Sequence, residues 1–141
     1  MKTMIYNSSY IEISFCKDLN TMVHVWKPAT IQFNDEEYKA EYRKITKALL
    51  SLAFIPQKII IDLREFYFAL SPETQDWHEE NVFSILYNLG EFYLAVINSP
   101  DFIVSVYVEQ TFEEFNEKKV KIIRKHFENL EEAKRWLSGI K

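Results

Sequence analysis

A carboxylate and a hydroxyl hold the positions from which this chain could do chemistry. Asp62 closes the apolar run Lys58-Ile59-Ile60-Ile61-Asp62-Leu63, and Ser71 follows after a loop, immediately before Pro72. A run without polar alternation suits a strand covered on both faces, and open α/β sheets present their binding residues at the carboxyl ends of such strands. An acid placed there either ties the loop's amides or lines a site. Ser71 is well placed to cap a helix whose first residue is proline, since proline's missing amide would lack a partner anyway. A small enzyme using Asp62 and Ser71 together is the last of three functional readings.

The remaining reactive side chains do not converge in sequence. His24, His78 and His126 are far apart, and His78-Glu79-Glu80 lacks the second histidine that would set two metal ligands on one helical face. Cys16 is the only cysteine, which excludes an internal disulfide and fits a reducing compartment. With Gly90 and Gly139 as the only glycines, neither a Walker loop nor a dinucleotide fingerprint can be written. The pairs Glu36-Glu37, Glu79-Glu80 and Glu131-Glu132 fall where helices are solvated or begin. No catalytic residue, metal or cofactor is therefore assigned, and the expectation is a protein that is not an enzyme.

Bulk composition narrows the class further. A chain of 141 residues is expected to be one domain, 1–141, with an ordinary core. Hydrophobic residues make up 48% and aromatic residues 16%, which suits a buried pocket or an apolar interface. The formal charge of -4 has the wrong sign for a nucleic-acid binder. No apolar stretch has the length of a signal peptide or a membrane span, so a soluble cytoplasmic protein is expected.

The elements that would position Asp62 and Ser71 follow from periodicity. Tyr10 to Cys16 and Thr21 to Lys27 alternate in hydrophobicity around a turn at Lys17-Asp18-Leu19-Asn20, giving an N-terminal antiparallel hairpin, with a short piece at Met4 to Tyr6 before it. Asn34 or Asp35 caps a helix running to about Leu52, with Tyr38, Tyr42, Ile45, Leu49 and Leu52 on its packed side. A second helix spans Pro72 to Leu89 and ends at Gly90, with His78, Val82, Ile85, Leu86 and Leu89 facing inward. Trp77 falls off that stripe, either beneath a folded-back Arg64 to Leu70 loop or at a partner contact. Phe92 to Ile97 is a second inner strand, expected beside Ile59 to Leu63. A helix over Pro100 to Lys118, which places Phe102 to Val108 in a helix despite its β-branched residues, leads to a charged edge strand at Val120 to Phe127. Asn129 caps a last helix with Ala133, Trp136, Leu137 and Ile140 inward. The order β-β-α-β-α-β-α-β-α describes one α/β domain with a mixed sheet.

In that order the chain resembles the STAS-like group related to bacterial anti-sigma-factor antagonists, more specifically the SpoIIAA-like small proteins. The residues carrying the resemblance are Trp26-Lys27-Pro28, Ile61-Asp62-Leu63-Arg64, Leu70-Ser71-Pro72-Glu73-Thr74-Gln75-Asp76-Trp77, Glu109-Gln110-Thr111, and Phe127 through Ala133 to Trp136-Leu137. Classical antagonists carry an Asp-Ser-Ser/Thr-Gly pattern in the loop after the central strand, and its hydroxyl is phosphorylated. Asp62 matches in position, but no Ser-Gly follows it, which leaves Ser71 as the nearest hydroxyl for such a modification. The resemblance implies a non-enzymatic regulatory or protein-interaction module. Its contact surface would comprise Asp62, Arg64, Ser71 and the exposed aromatics Phe66, Tyr67, Phe68 and Trp77. The partner is an unidentified protein, with a homodimer left open, and the alternative is carriage of an apolar, lipid-like ligand.

Overall fold

The computed structural model describes residues 2–84, 90–99 and 122–140. They form an α/β unit with a six-stranded mixed sheet and three α-helices. In chain order the elements are β1 (Lys2–Asn7), β2 (Ile11–Cys16), β3 (Thr21–Trp26), α1 (Asp35–Leu50), β4 (Lys58–Asp62), α2 (Pro72–His78), β5 (Phe92–Ile97), β6 (Ile122–Phe127) and α3 (Leu130–Ser138). Spatial order in the sheet is the same, β1 to β6. The first two pairings are antiparallel and the remaining three are parallel.

Ile59 lies beside Leu94, and Asp62 beside Ile97, so the two apolar runs are adjacent inner strands as expected. Side chains alternate across the sheet and divide the core into two parts. On one face Ile11, Ile13, Met22, Trp26, Ile59, Leu94 and Val96 pack with Tyr38 and Ile45 of α1, and Trp77 of α2 rests against the same cluster. On the other, Ile60, Ala95, Ile97 and Phe127 pack with Ala133 and Leu137 of α3.

Three departures from the sequence expectation have local causes. The N-terminal piece is a full edge strand rather than a fragment, so the described order begins β-β-β. Its tie lies remote in sequence, where the buried Glu41 of α1 accepts hydrogen bonds from Tyr6 Oη at 2.8 Å and Ser8 Oγ at 2.7 Å. Burial and that carboxylate push the Tyr6 phenol up to about 12, so it stays a donor. Secondly, the second helix is regular only to His78 and widens into a π-turn over Glu79–Phe83, with Ser84 helical after it. Finally, the first helix ends at Leu50 instead of Leu52, with Asn34 as its cap through a bond from the Glu37 amide.

Gly90 has φ +99°, a conformation suited to glycine, while the helix end that it is expected to terminate lies outside the described residues. The expectations for Ile85 to Leu89, for a helix over Pro100 to Lys118 including Phe102 to Val108 and Glu109-Gln110-Thr111, and for the strand's start at Val120 lie outside the described residues. Among the described residues no helix is long and apolar enough to cross a membrane.

Candidate functional site at the carboxyl rim of the sheet

Asp62 is where the sequence places it, and both its oxygens are engaged. Oδ1 accepts from the Arg64 backbone amide at 3.1 Å and from Arg64 Nε at 3.0 Å, while Oδ2 accepts from Arg64 Nη2 at 2.7 Å. The Asp62 side chain is 8% exposed and that of Arg64 47%, so the acid is buried beneath a guanidinium that reaches solvent. The hydrogen bond to Asp62 also raises the guanidinium above its already high value. A forked, charge-assisted pair two residues apart fixes the chain as it leaves β4. Asp62 is thus occupied as a loop tie, which removes it from general-base work in this arrangement.

A second tie joins two loops. Thr30, fully buried in the 3₁₀ turn Pro28–Gln32 after β3, accepts from the Tyr67 amide at 2.9 Å. Its hydroxyl lies 3.0 Å from the Lys27 carbonyl and 3.2 Å from the Glu65 carbonyl, the two acceptors for its proton. The loop after β3 and the loop after β4 are therefore held as one surface. Ile31, 72% exposed, and Tyr67, 37% exposed, flank that bond. Ile31 escaped sequence reasoning, although an isoleucine between Pro28 and Asn34 with no periodic partner is the signal that could have found it. Replacing Thr30 with valine keeps its shape and takes the hydroxyl partner from the Tyr67 amide and the Glu65 carbonyl, while the Lys27 carbonyl keeps its bond from the Thr30 amide, so Thr30→Val should cost about 1–3 kcal/mol and speed hydrogen exchange at the Tyr67 amide. Chemical denaturation with exchange measurements checks both.

The expected aromatic anchors divide. Phe66 is 3% exposed and packs on Trp26 at 5.0 Å between ring centroids, so it is a core residue and the expectation of an exposed anchor is corrected. Phe68 is half-buried between Phe33 at 5.7 Å and Tyr38 at 5.5 Å. Chain leaving a buried strand end must turn back across the helix-covered face, and alternating aromatics let it do so with one ring in and the next out. Trp77 is also half-buried, with the Arg43 guanidinium of α1 5.5 Å above its ring. Of the four rings, Tyr67 alone belongs to the exposed class.

Ser71 caps α2 by accepting from the Thr74 amide at 3.2 Å. Its hydroxyl also lies 3.3 Å from Asp35 Oδ2 and 3.1 Å from Thr74 Oγ1. A phosphate at this oxygen would meet the Asp35 carboxylate and break the link between the two helix starts.

The histidines bring a pairing that sequence could not foresee. His78 Nδ1 is 2.9 Å from Tyr38 Oη, both groups buried, and Tyr42 lies edge-on to the imidazole at 4.6 Å. Burial pushes the imidazole down to about 3 and the Tyr38 phenol well up, so a neutral ring and a neutral hydroxyl share this hydrogen bond. His24, in the middle of β3, is likewise pushed down by burial, to about 4. Among the described residues no cluster of three or more histidine, cysteine or acidic side chains is arranged to hold a metal. Comparisons with protein-family models, curated proteins and solved structures find no match to this chain.

Proposed function

We propose that this protein is a non-enzymatic interaction module of STAS-like, SpoIIAA-like type, and that the rim bearing Ile31, Arg64 and Tyr67 contacts a protein partner. The observation carrying this reading is the Thr30 tie, because it holds an exposed isoleucine, an exposed tyrosine and a fork-fixed arginine in one arrangement before any partner arrives. Preorganised apolar and arginine groups lose little freedom on association, which is how a small patch becomes a binding surface. The acids Glu36, Glu37, Glu65 and Glu73 at the same rim favour a partner of basic character.

Carriage of an apolar ligand is less well supported. Tyr10, Trp26, Phe33, Tyr38, Tyr42, Phe66 and Phe68, the rings that would line its cavity, pack on one another at centroid spacings from 4.4 Å to 6.5 Å.

The reading is tested by Ile31→Asp with Tyr67→Ala. Both residues point outward, so the double variant should melt within a few degrees of the parent, while a partner enriched from the native host by the parent is depleted at least tenfold. Identical captured proteins at identical stability would remove the rim from consideration. Solvent extraction and mass spectrometry of protein purified from its own cell separates the alternative, for which a stoichiometric lipid must be recovered.

A further inference from the structure

The opposite end of the sheet carries an apolar tip of its own. From the last residues of α1 toward β4 the chain reads Leu49-Leu50-Ser51-Leu52-Ala53-Phe54-Ile55-Pro56, an unusually apolar sequence for a helix end and connection at the surface. Leu50 is 59% exposed and Phe54 is 63% exposed, while half-buried Phe15 at the end of β2 meets Phe54 edge-on at 6.4 Å. Core packing does not account for the two outward side chains. Lys44 and Lys47 are exposed on the last turns of α1, and Lys17 is exposed on the 3₁₀ turn after β2, whose end pairs with the start of β3. None of these lysines makes an ion pair among the described residues. Among the described residues, Asp18 and Glu91 are acids at this end.

Charge is distributed unevenly along the molecule. The exposed acids Glu36, Glu37, Glu73, Glu131 and Glu132 stand at helix starts, and those starts lie at the carboxyl rim because each helix runs back against the parallel strands. An anionic surface would repel that rim and attract the end with unpaired lysines, turning Phe54 and Leu50 toward itself.

From these observations we infer that the loop Ser51 to Gln57, with Phe54 and Leu50 as its inserting side chains and Lys17, Lys44 and Lys47 as its headgroup contacts, docks on an anionic phospholipid bilayer. Apolar side chains bordered by lysine ammonium groups are the combination that binds at the headgroup boundary without spanning. Lysine suits the role because its hydrated point charge keeps contact with mobile phosphates, needing no fixed geometry. This surface is separate from the proposed protein contact, so either can fail alone.

The test is sedimentation of the full chain with phosphatidylcholine vesicles made with and without phosphatidylserine. Binding is expected on the phosphatidylserine vesicles and should weaken as salt is raised. Lys44→Glu with Lys47→Glu should reduce partitioning at least tenfold, and Phe54→Glu should do the same. Both variants change exposed positions and should keep the parent's melting temperature. Phe54→Trp provides a second readout, a blue shift and gain in emission over the parent's on contact with the same vesicles. Failure of the parent to sediment overturns the proposal, as does undiminished binding by Phe54→Glu. Concentration-dependent self-association abolished by Phe54→Glu, without vesicle binding, would overturn it and give the patch to a second copy of the chain.

Discussion

Lowering the pH from 7 to 5 should weaken this fold by on the order of 4 kcal/mol, a large part of the stability of a domain this size. Two buried imidazoles carry the effect. The folded protein holds His24 at about 4 and His78 at about 3, whereas an unfolded histidine titrates near 6.5. Both folded values are depressed, so at intermediate pH the unfolded chain binds more protons and acid favours it. Their contribution is intact above the unfolded value, is lost progressively as pH falls below about 6.5, and levels off only below the folded values. Two groups each protonated in the unfolded state at pH 5 account for roughly 2 kcal/mol apiece.

The variants should respond differently. His24 Nε2 has no hydrogen-bond partner among the described residues, so His24→Met should leave neutral stability nearly unchanged and remove about half of the slope between pH 7 and 5. His78→Leu would also cut the slope, but at a cost of about 1–3 kcal/mol at every pH, because it removes the hydrogen bond that the buried imidazole shares with the Tyr38 hydroxyl. Urea titrations across this range measure both quantities. A parent protein equally stable at pH 7 and pH 5 would show that these imidazoles are hydrated or paired in a way that leaves them near 6.5.

Local pattern and long-range contact explain which parts of the structure were legible. Ile59 to Asp62 and Phe92 to Ile97 could be recognised because unbroken apolar runs have few placements other than the middle of a helix-covered sheet. The caps Asn34, Ser71 and Asn129 were equally readable, since a short polar side chain serving an amide three residues on is a local event. β1 was underestimated for the opposite reason. Lys2 to Asn7 carries weak alternation, its ladder with β2 is irregular between Met4 and Tyr6, and its anchor is a glutamate on α1. The π-turn over Glu79–Phe83 had no sequence signal that we can identify.

At the rim, chemistry was easier to locate than exposure. The Asp62 tie could be anticipated from a carboxylate at a strand end, and Arg64 two residues on completes it. Thr30 and Ile31 could not, because the bond that brings their turn against the Tyr67 amide crosses 37 residues of sequence. Nor does composition say which of several neighbouring aromatics faces the core. Phe66, Tyr67 and Phe68 look alike as a string, and only the packing of Trp26, Phe33 and Tyr38 around them sorts one from another.

Truncating Phe66 should therefore cost about 3–5 kcal/mol, whereas truncating its neighbour Tyr67 should cost under about 1 kcal/mol. Phe66 contributes a ring to the wall between Trp26 at 5.0 Å and Tyr38 at 6.5 Å, and it is 3% exposed. Removing it leaves a cavity bounded by other large rings that cannot collapse without leaving their own contacts, which places the loss in the upper part of the range for core aromatics. Part of the effect reaches the rim, because the Phe66 amide donates to the Leu63 carbonyl in the turn that Asp62 and Arg64 hold. Phe66→Leu, which keeps most of the volume, should recover more than half of the loss. Denaturant midpoints for the three variants, together with partner capture, distinguish a core role from a contact role. Phe66→Ala as stable as the parent but defective in capture would return Phe66 to the contact surface, and Tyr67→Ala as damaging as Phe66→Ala would mean the rim is packed from within.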